Sequence, residues 1–572
     1  MKVLLINPPF AFPDNVYASV PILLGQLKNA GIDAKAMDLN IEFIKDILNK
    51  DYLEKTVEKL NYILQTDEVK NIDEKYSLTK EQQVEQKLLI EKCLIKQKNI
   101  TETIIKSSDN LWDSYLQVKN IQNSKKTENI KKAISYAMSI AFMPYYPSTL
   151  HISFGSGKNL FYFIEENPIY KNTYEDLMYR CNNEERNIYV GYFKEKIIKQ
   201  KLNEYDVIAI TIPFESCFYP ALTFARTIKE YTNAKVIIGG VLINSIVDSF
   251  KKHPEMFGQY FDALMLGEGE KSIVDYVNVV ESGSSLSSIS GLVYKNQETI
   301  VQNPIEYINN VDSVAEPAYD GLDFSNYVYP KISMEFSKGC YWSKCLYCYC
   351  NLYKRYHIKN PKLAVDMIEN LINKYGIRSF HILDDSLNIN FARIFAQEII
   401  SRNLNIKYSA FFRLEEALTR DFLELMCRSG LNSIFFGLES ASEKILKLMN
   451  KGINVSTAER ILKDSFELGI ETSVGFMYGF PSESEKDLND TLDFIKRNRK
   501  YITKCNNFKF TLLKSSALLK FQQQLNITNI REIEEFSAYL LYDADNLDDE
   551  KFNSIMKKNN ISYLNRYTKW EV

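Results

Sequence analysis

Histidine is scarce in this chain, basic charge is not in excess, and no hydrophobic run is long. The four histidines among 572 residues (His151, His253, His357 and His381) are not paired with a Cys-x-x-Cys at zinc-finger spacing. No apolar stretch approaches the roughly 18 residues that a membrane-spanning helix requires. The first apolar run, in "MKVLLINPPF", is broken by Pro8 and Pro9 and is too short for the hydrophobic segment of a signal peptide. Lys and Arg number 70 against 73 Asp and Glu, a net charge of −3, which argues against nucleic acid as the main partner. Lys-rich runs such as "NSKKTENIKK" read as solvated helix faces. Five of the nine cysteines are scattered (Cys93, Cys181, Cys217, Cys427 and Cys505) and do not form a disulfide framework. These absences predict a cytoplasmic protein in a reducing compartment, with neither nucleic acid nor a membrane as partner.

What is present is strand–helix alternation in two blocks. "KVLLIN" is a short β-rich apolar run stopped by Pro-Pro, then come a helix in "VPILLGQLKNAGI" closed by Gly31 and a strand in "DAKAMDLN". The pattern resumes with "YDVIAITIPFES", "YPALTFARTIKEYT", "KVIIGGV" and "DALMLGEGE". Residues 1–41 and 203–285 therefore predict one open, Rossmann-like α/β domain, with its ligand crevice in the loops "NPPFAFPDN", "TIPFESCF", "GGVLINS" and "GEGE". Between them, residues 42–202 read as a mostly helical insertion. Residues 286–330 read as a hairpin and a Pro-containing linker. From 331 to 520 about six βα units follow, which predicts a partial (β/α)6 barrel with its chemistry on the loops after the strands. Residues 521–572 read as a small helical tail.

The first of those loops holds "MEFSKGCYWSKCLYCYC", with Cys340, Cys345, Cys348 and Cys350. A structural zinc site normally takes two well-separated cysteine knuckles, and only one Cys-x-x-Cys is present. A redox dithiol belongs with a thioredoxin-like fold rather than a barrel. Several thiolates on one loop suit an iron–sulfur cluster. From the residues alone, zinc and a dithiol remain as alternatives.

"GCYWSKCLYC" at this place resembles the radical S-adenosylmethionine (SAM) superfamily, whose usual motif is Cys-x3-Cys-x-aromatic-Cys. Cys340 and Cys345 are separated by one residue more than that motif has, while Tyr347 stands at the aromatic position before Cys348. The resemblance implies Cys340, Cys345 and Cys348 as ligands of a 4Fe-4S cluster, with Cys350 a spare thiol facing the site or a replacement for Cys340. It further implies Asp384 and Asp385, ending "SFHILDD", as partners of the SAM amino group. Taken alone, the pair reads equally well as an N-cap for the next helix. Arg413 in "AFFRLEE" would face the SAM carboxylate with its planar fork, and Glu439 in "FFGLESAS" the ribose hydroxyls, unless it is an ordinary strand-end surface residue. Gly475 and Gly479 in "GFMYGFPSES" would lie beside the adenine.

The split α/β domain ahead of the barrel resembles the cobalamin-binding domain of the cobalamin-dependent members of that superfamily. Asn7, Pro8, Gly239, Gly240, Gly267, Glu268 and Gly269 are the implied cofactor-facing residues; the alternative is glycines that serve only tight turns. The Asp-x-His-x-x-Gly signature of a lower axial histidine is missing, so the resemblance implies cobalamin held without a protein histidine. The layout is most like enzymes that modify peptides or other natural products. The implied function is methylation of an unactivated carbon in a peptide or small-molecule natural product, through a 5′-deoxyadenosyl radical and methylcobalamin, with an electron donor such as flavodoxin or ferredoxin. The alternatives are a non-methylating rearrangement, cyclisation or oxidation with the same cofactors, and a cobalamin or redox sensor without catalysis.

Overall fold

The computed structural model describes residues 1–9, 15–47, 49–65, 172–182, 187–327, 330–352 and 356–559, with a few isolated positions between 80 and 102. Five short apolar runs become the parallel strands β1 (Lys2–Asn7), β2 (Asp33–Asp38), β3 (Val207–Thr211), β4 (Lys235–Gly239) and β5 (Ala263–Met265). Val3 to Ile6 and Val236 to Ile238 are all buried, as expected of strands covered on both faces. The order is β2-β1-β3-β4-β5. The order of strand addition reverses at β1, so the crevice lies beyond the carboxyl ends of β1 and β3.

In the segment 286–330 a hairpin, β6 (Leu292–Asn296) and β7 (Thr299–Gln302), extends the edge of this sheet, with β6 antiparallel to β5. Leu292 and Val293 are fully buried there, and that burial fixes the pairing. The linker that follows crosses the helix Ser19–Asn29, where Ala318 N–H donates to the Pro21 carbonyl at 2.8 Å. Gly25 makes this crossing possible: a Cβ there would stand 2.0 Å from the Glu316 carbonyl oxygen.

The second sheet follows β8 (Ile332–Met334). A two-residue ladder, β9 (Ser337–Lys338) against β10 (His357–Ile358), pins the base of the cysteine loop. Then come β11 (Ser379–Ile382), β12 (Lys407–Phe412), β13 (Leu431–Glu439), β14 (Glu471–Tyr478) and β15 (Lys504–Lys509). These six strands are parallel in the order β15-β14-β13-β12-β11-β8, a partial barrel. Side chains alternate along each strand. Ala410, Phe412, Ile434, Phe436, Val474 and Phe476 are buried, whereas Ser409, Phe411, Ser433, Phe435, Ser473 and Met477 are half-buried on the other, lumen side. Each following helix starts on a capping side chain: Asn360, Asn388, Thr419, Ser442, Asn454 and Ser484 all accept a first-turn N–H.

The tail corrects one expectation. Instead of helix alone it holds β17 (Thr528–Glu532) and β18 (Tyr539–Asp543), which form an antiparallel sheet with β16 (Leu512–Leu513) from the segment before it, ahead of the helix Asp549–Lys558. Such short strands of mixed polarity carry too little periodicity to be read from sequence. The segment between β17 and β18 reaches the first domain: Phe536 packs between Phe218 (5.8 Å) and Phe250 (5.0 Å), and His253 Nε2 lies 2.6 Å from Glu535. Of the insertion 42–202, its two ends are helical, in Leu39–Ile47, Lys50–Gln65, Tyr174–Asn182 and Ile188–Lys199. Most of its middle lies outside the described residues. The two ends meet through Phe43 and Tyr189, with ring centres 5.2 Å apart.

Gly25→Ala is expected to cost about 1–3 kcal/mol by overpacking, read as a lower urea midpoint for unfolding. An unchanged midpoint would mean that the linker is not held against this helix.

Candidate active site

The cysteine loop runs over the mouth formed by the carboxyl ends of β8 and β11–β13. Cys345 and Cys350 are buried, and Cys340 and Cys348 are half-buried. Leu346 N–H donates to the Met449 carbonyl and the Ser516 hydroxyl to the Leu346 carbonyl, so the loop is gripped from two sides. Burial pushes the Cys345 thiol up, and both Cys340 and Cys348 bear on it electrostatically. Cys348 and Cys350 are hydrogen-bonded to each other: this lowers the Cys348 thiol pKa and, with burial, pushes that of Cys350 well up. Among the described residues no three His, Cys, Asp or Glu side chains converge on one metal-ligating point.

Beside them is a connected charged network. Arg413, 5% exposed just after β12, points Nη1 at Cys345 Sγ (4.0 Å) and lies over the Trp342 ring at 4.3 Å. Its Nη2 donates to the Lys451 carbonyl. The Lys451 ammonium in turn holds Glu439 (2.9 Å) and the Tyr347 hydroxyl (3.2 Å). Glu439 ends β13 at a register shift with φ of 62°, which turns its carboxylate back over Gly437, where a Cβ would stand 2.4 Å from Oε1. Glu439 is therefore a half-buried, ion-paired residue and not a surface one. Two strand ends, the turn after the helix Glu443–Leu448 and the cysteine loop thus share one constellation.

Asp384 is 1% exposed. Oδ2 accepts the Phe336 N–H at 3.0 Å, while Oδ1 is buried without a hydrogen-bond partner. Burial raises its pKa to about 7. Asp385 points outward and accepts from the Tyr349 hydroxyl at 2.7 Å. Neither caps the next helix, which Asn388 does. Gly475 has a packing reason within the lumen: a Cβ there would meet the Phe435 ring at 2.9 Å and Phe508 at 3.3 Å. Gly479 adopts φ of 76° in the turn after β14, and its N–H donates to Glu483 Oε2 at 2.6 Å.

In the first domain, Asn7 is buried with Nδ2 on Asp38 (3.0 Å) and an unpartnered Oδ1, and Pro8 is buried beside it. Gly239 closes β4 against the Met265 carbonyl. Gly240 has φ of 121° and would clash with the Ile212 carbonyl, and Gly267 has φ of 77° and would clash with Ile305. Glu268 accepts the Ile308 N–H at 2.5 Å, and Gly269 begins the helix Gly269–Ser282 against Leu23. These glycines are explained by chain packing. The side chains open to the crevice are others: Phe214 and Val241, 52% and 53% exposed just after β3 and β4, with Tyr17 edge-on to Phe214 at 5.9 Å. Sequence reasoning missed these three, along with Trp342 and Lys451. Lys451 sits in the lysine-rich run "EKILKLMNK", where nothing separates it from its solvated neighbours.

Residues 334–495 match the family model described as Radical SAM superfamily. An uncharacterized methyltransferase of Pyrococcus horikoshii is 28% identical over 53% of this chain and 66% of its own length. The anaerobic magnesium-protoporphyrin IX monomethyl ester cyclase of Cereibacter sphaeroides is 25% identical over 52% of this chain and 51% of its own. The chain thus spans about half to two thirds of the length of these curated relatives. Among solved structures, the radical SAM methyltransferase TsrM of Kitasatospora setae, holding cobalamin and a 4Fe-4S cluster, aligns with TM-score 0.53 at 15% identity, over 91% of this chain and 78% of that one. The cobalamin-dependent SAM radical enzyme OxsB, with aqua-cobalamin and SAM bound, aligns with TM-score 0.52 at 15% identity, over 65% and 59%.

Glu483 offers a pH test of the mouth. It is 3% exposed with Oε1 buried and unpartnered, and burial raises its pKa from 4.5 to about 7. A raised carboxyl favours the fold while protonated: that contribution is complete below about 4.5 and is lost as pH rises through about 7. Relative to Glu483→Gln, the parent is therefore expected to lose up to about 3 kcal/mol between about pH 5 and about pH 8, measured by urea unfolding. Equal pH dependence in both would remove Glu483 from this account. Residues 334–495 are a Radical SAM superfamily domain, and the chain that carries them shares its fold with the cobalamin-dependent radical SAM enzymes.

Proposed function

We propose that this protein is a cobalamin-dependent radical SAM enzyme that methylates an unactivated carbon of a peptide or other natural product. The observation that carries the reading is the link from Cys345 through Arg413 and Lys451 to Glu439, which joins the cysteine loop to two strand ends. The donor set fits in chemistry: Cys340, Cys345 and Cys348 supply three thiols for a 4Fe-4S cluster, and the buried, unpartnered Asp384 Oδ1 is an acceptor that an ammonium would satisfy. Bound there, the cluster supplies one-electron reduction of SAM, and cobalamin in the crevice supplies a transferable methyl group. The chain's own work is to hold and orient. Arg413 presents a planar fork to a carboxylate, Glu439 accepts from hydroxyls, and Lys451 keeps Glu439 turned inward. Phe214, Val241 and Tyr17 offer an apolar wall to a large cofactor, with Asn7, Pro8 and the turns at Gly239–Gly240 and Gly267–Gly269 forming its rim.

The lumen suits an uncharged organic group. Phe411 and Phe435 face each other at 5.5 Å, and below them His381 Nδ1 meets Ser409 Oγ at 2.7 Å. Burial, with Lys331 nearby, pulls the His381 pKa down to about 4, so the imidazole is neutral. A closed aromatic lumen also excludes water from reactive intermediates. A one-electron donor such as flavodoxin or ferredoxin completes the cycle, in the cytoplasm. The similarity to a cyclase favours one second reading, a ring-forming or oxidative reaction with the same cofactors and no methyl transfer.

The test is anaerobic reconstitution with iron, sulfide and cobalamin, followed by SAM, a reductant and candidate peptides, with products read by mass spectrometry. Matched 5′-deoxyadenosine and S-adenosylhomocysteine with a substrate heavier by one methylene is the expected result. 5′-Deoxyadenosine with a modified substrate that gained no carbon selects the second reading, and no SAM cleavage at all would sink both. Alanine at Cys340, Cys345 or Cys348 is expected to abolish the cluster's visible absorbance, and Cys350→Ala to retain it. Loss in Cys350→Ala but not in Cys340→Ala would reassign the ligands.

A further inference from the structure

One lysine joins the crevice of the first domain to the base of the cysteine loop. Lys338 is the last residue of β9, two positions before Cys340, and its backbone is fixed by the ladder with His357. Its side chain is 12% exposed and contacts two carboxylates, Glu335 at 2.6 Å and Glu270. Glu335 follows β8 in the barrel. Glu270, 7% exposed at its side chain, lies in the first turn of the helix Gly269–Ser282, directly after the crevice turn 267–269. That turn is held on its other side as well: Gly267 N–H donates to Asn244 (2.8 Å), and Glu268 accepts from Ile308. A buried ammonium shared by two carboxylates leaves each partner costly to remove, because the charge left behind has no water to turn to.

We infer that Lys338 is a positioning residue that fixes the crevice turn 267–270 to the base of the cysteine loop, and so sets the separation of the two cofactors. The inference rests on the cofactor reading proposed above, since it takes cobalamin to sit at that turn and the cluster on that loop. The triad's asymmetry allows the link to be cut without emptying it. Glu270→Gln leaves the Lys338–Glu335 pair intact within the barrel and removes only the charge contact between domains. Lys338→Met removes both contacts, and Lys338→Arg keeps a cation that reaches two carboxylates.

The experiment uses the anaerobic holoprotein, reduced to give cob(II)alamin and a paramagnetic cluster, with their spin–spin coupling read by pulsed electron paramagnetic resonance. The expected result for Glu270→Gln is unchanged cofactor content with loss of the parent's coupling, and parent-like coupling in Lys338→Arg. Parent-like coupling in Glu270→Gln overturns the inference. Should the parent bind no cobalamin, the cofactor reading fails on its own, and the mechanical link is then decided by hydrogen exchange on the cofactor-free protein. Faster exchange in both 263–283 and 332–340 of Glu270→Gln upholds the link, and exchange unchanged in either segment overturns it. If Lys338→Met does not fold, the Glu270→Gln and Lys338→Arg pair carries the test.

Discussion

A parallel strand covered on both faces has its backbone committed to its neighbours and its side chains to packing, so chemistry is confined to the loops at its ends. That constraint acts twice in this chain. The parallel strands of the first sheet deliver Asn7, Phe214, Gly239–Gly240 and Gly267–Glu268 to one edge. The six strands of the second deliver the cysteine loop, Asp384, Arg413 and Glu439 to another. The parallel registers Ser333–His381–Ser409 and Phe411–Phe435 then fix which side chains face the lumen. Besides Lys338, Asn15 from the segment after β1 ties the two edges together: it donates to Ser333 Oγ at 3.0 Å and accepts from Lys331 N–H at 3.2 Å.

Much of this was legible because strand ends announce themselves. Apolar runs such as "KVLLIN" and "VIAIT" are too short for helices and too continuous for half-exposed strands. Asn, Ser and Thr mark where the following helices start. The cysteine loop, the acidic pair and the strand-end Arg and Glu were visible as residue types at positions where a barrel keeps its chemistry. What was not legible depends on distance in space. β6 reads as a free hairpin until its antiparallel pairing with β5 buries Leu292 and Val293. β17 and β18 are stabilised by each other and by β16, not by any pattern within themselves.

The glycines show the same limit from the other side. Glycine in a strand-end turn reads as an opening for a ligand, but at Gly240 and Gly267 the space is filled by the Ile212 carbonyl and the Ile305 side chain. The crevice is instead presented by Phe214 and Val241, large apolar residues whose exposure is known only once the fold is. An exposed aromatic at a strand-end turn is indistinguishable in sequence from a core one. Lys451 is a similar case, because a buried lysine and a solvated one are written with the same letter.

Charge balance explains why the mouth needs a lysine that no motif contains. Arg413 and Glu439 come from neighbouring strands and do not pair with each other; Arg413 lies 3.9 Å from Glu415, and Glu439 is held by Lys451. Two cations and two carboxylates leave the network neutral, which lowers the cost of keeping it out of water. Tyr341 holds Glu415 through its hydroxyl at 2.9 Å, so each carboxylate is fixed by a residue other than the one that would meet a ligand. A zwitterion bound here would exchange one set of pairings for another without a net change of buried charge. Asp384, with a pKa near 7 and one oxygen unpartnered, lies apart from this quartet, and an ammonium beside it would stabilise its ionised form. The quartet is thus balanced in charge, while Asp384 stands beside it as a buried carboxyl with one oxygen unsatisfied.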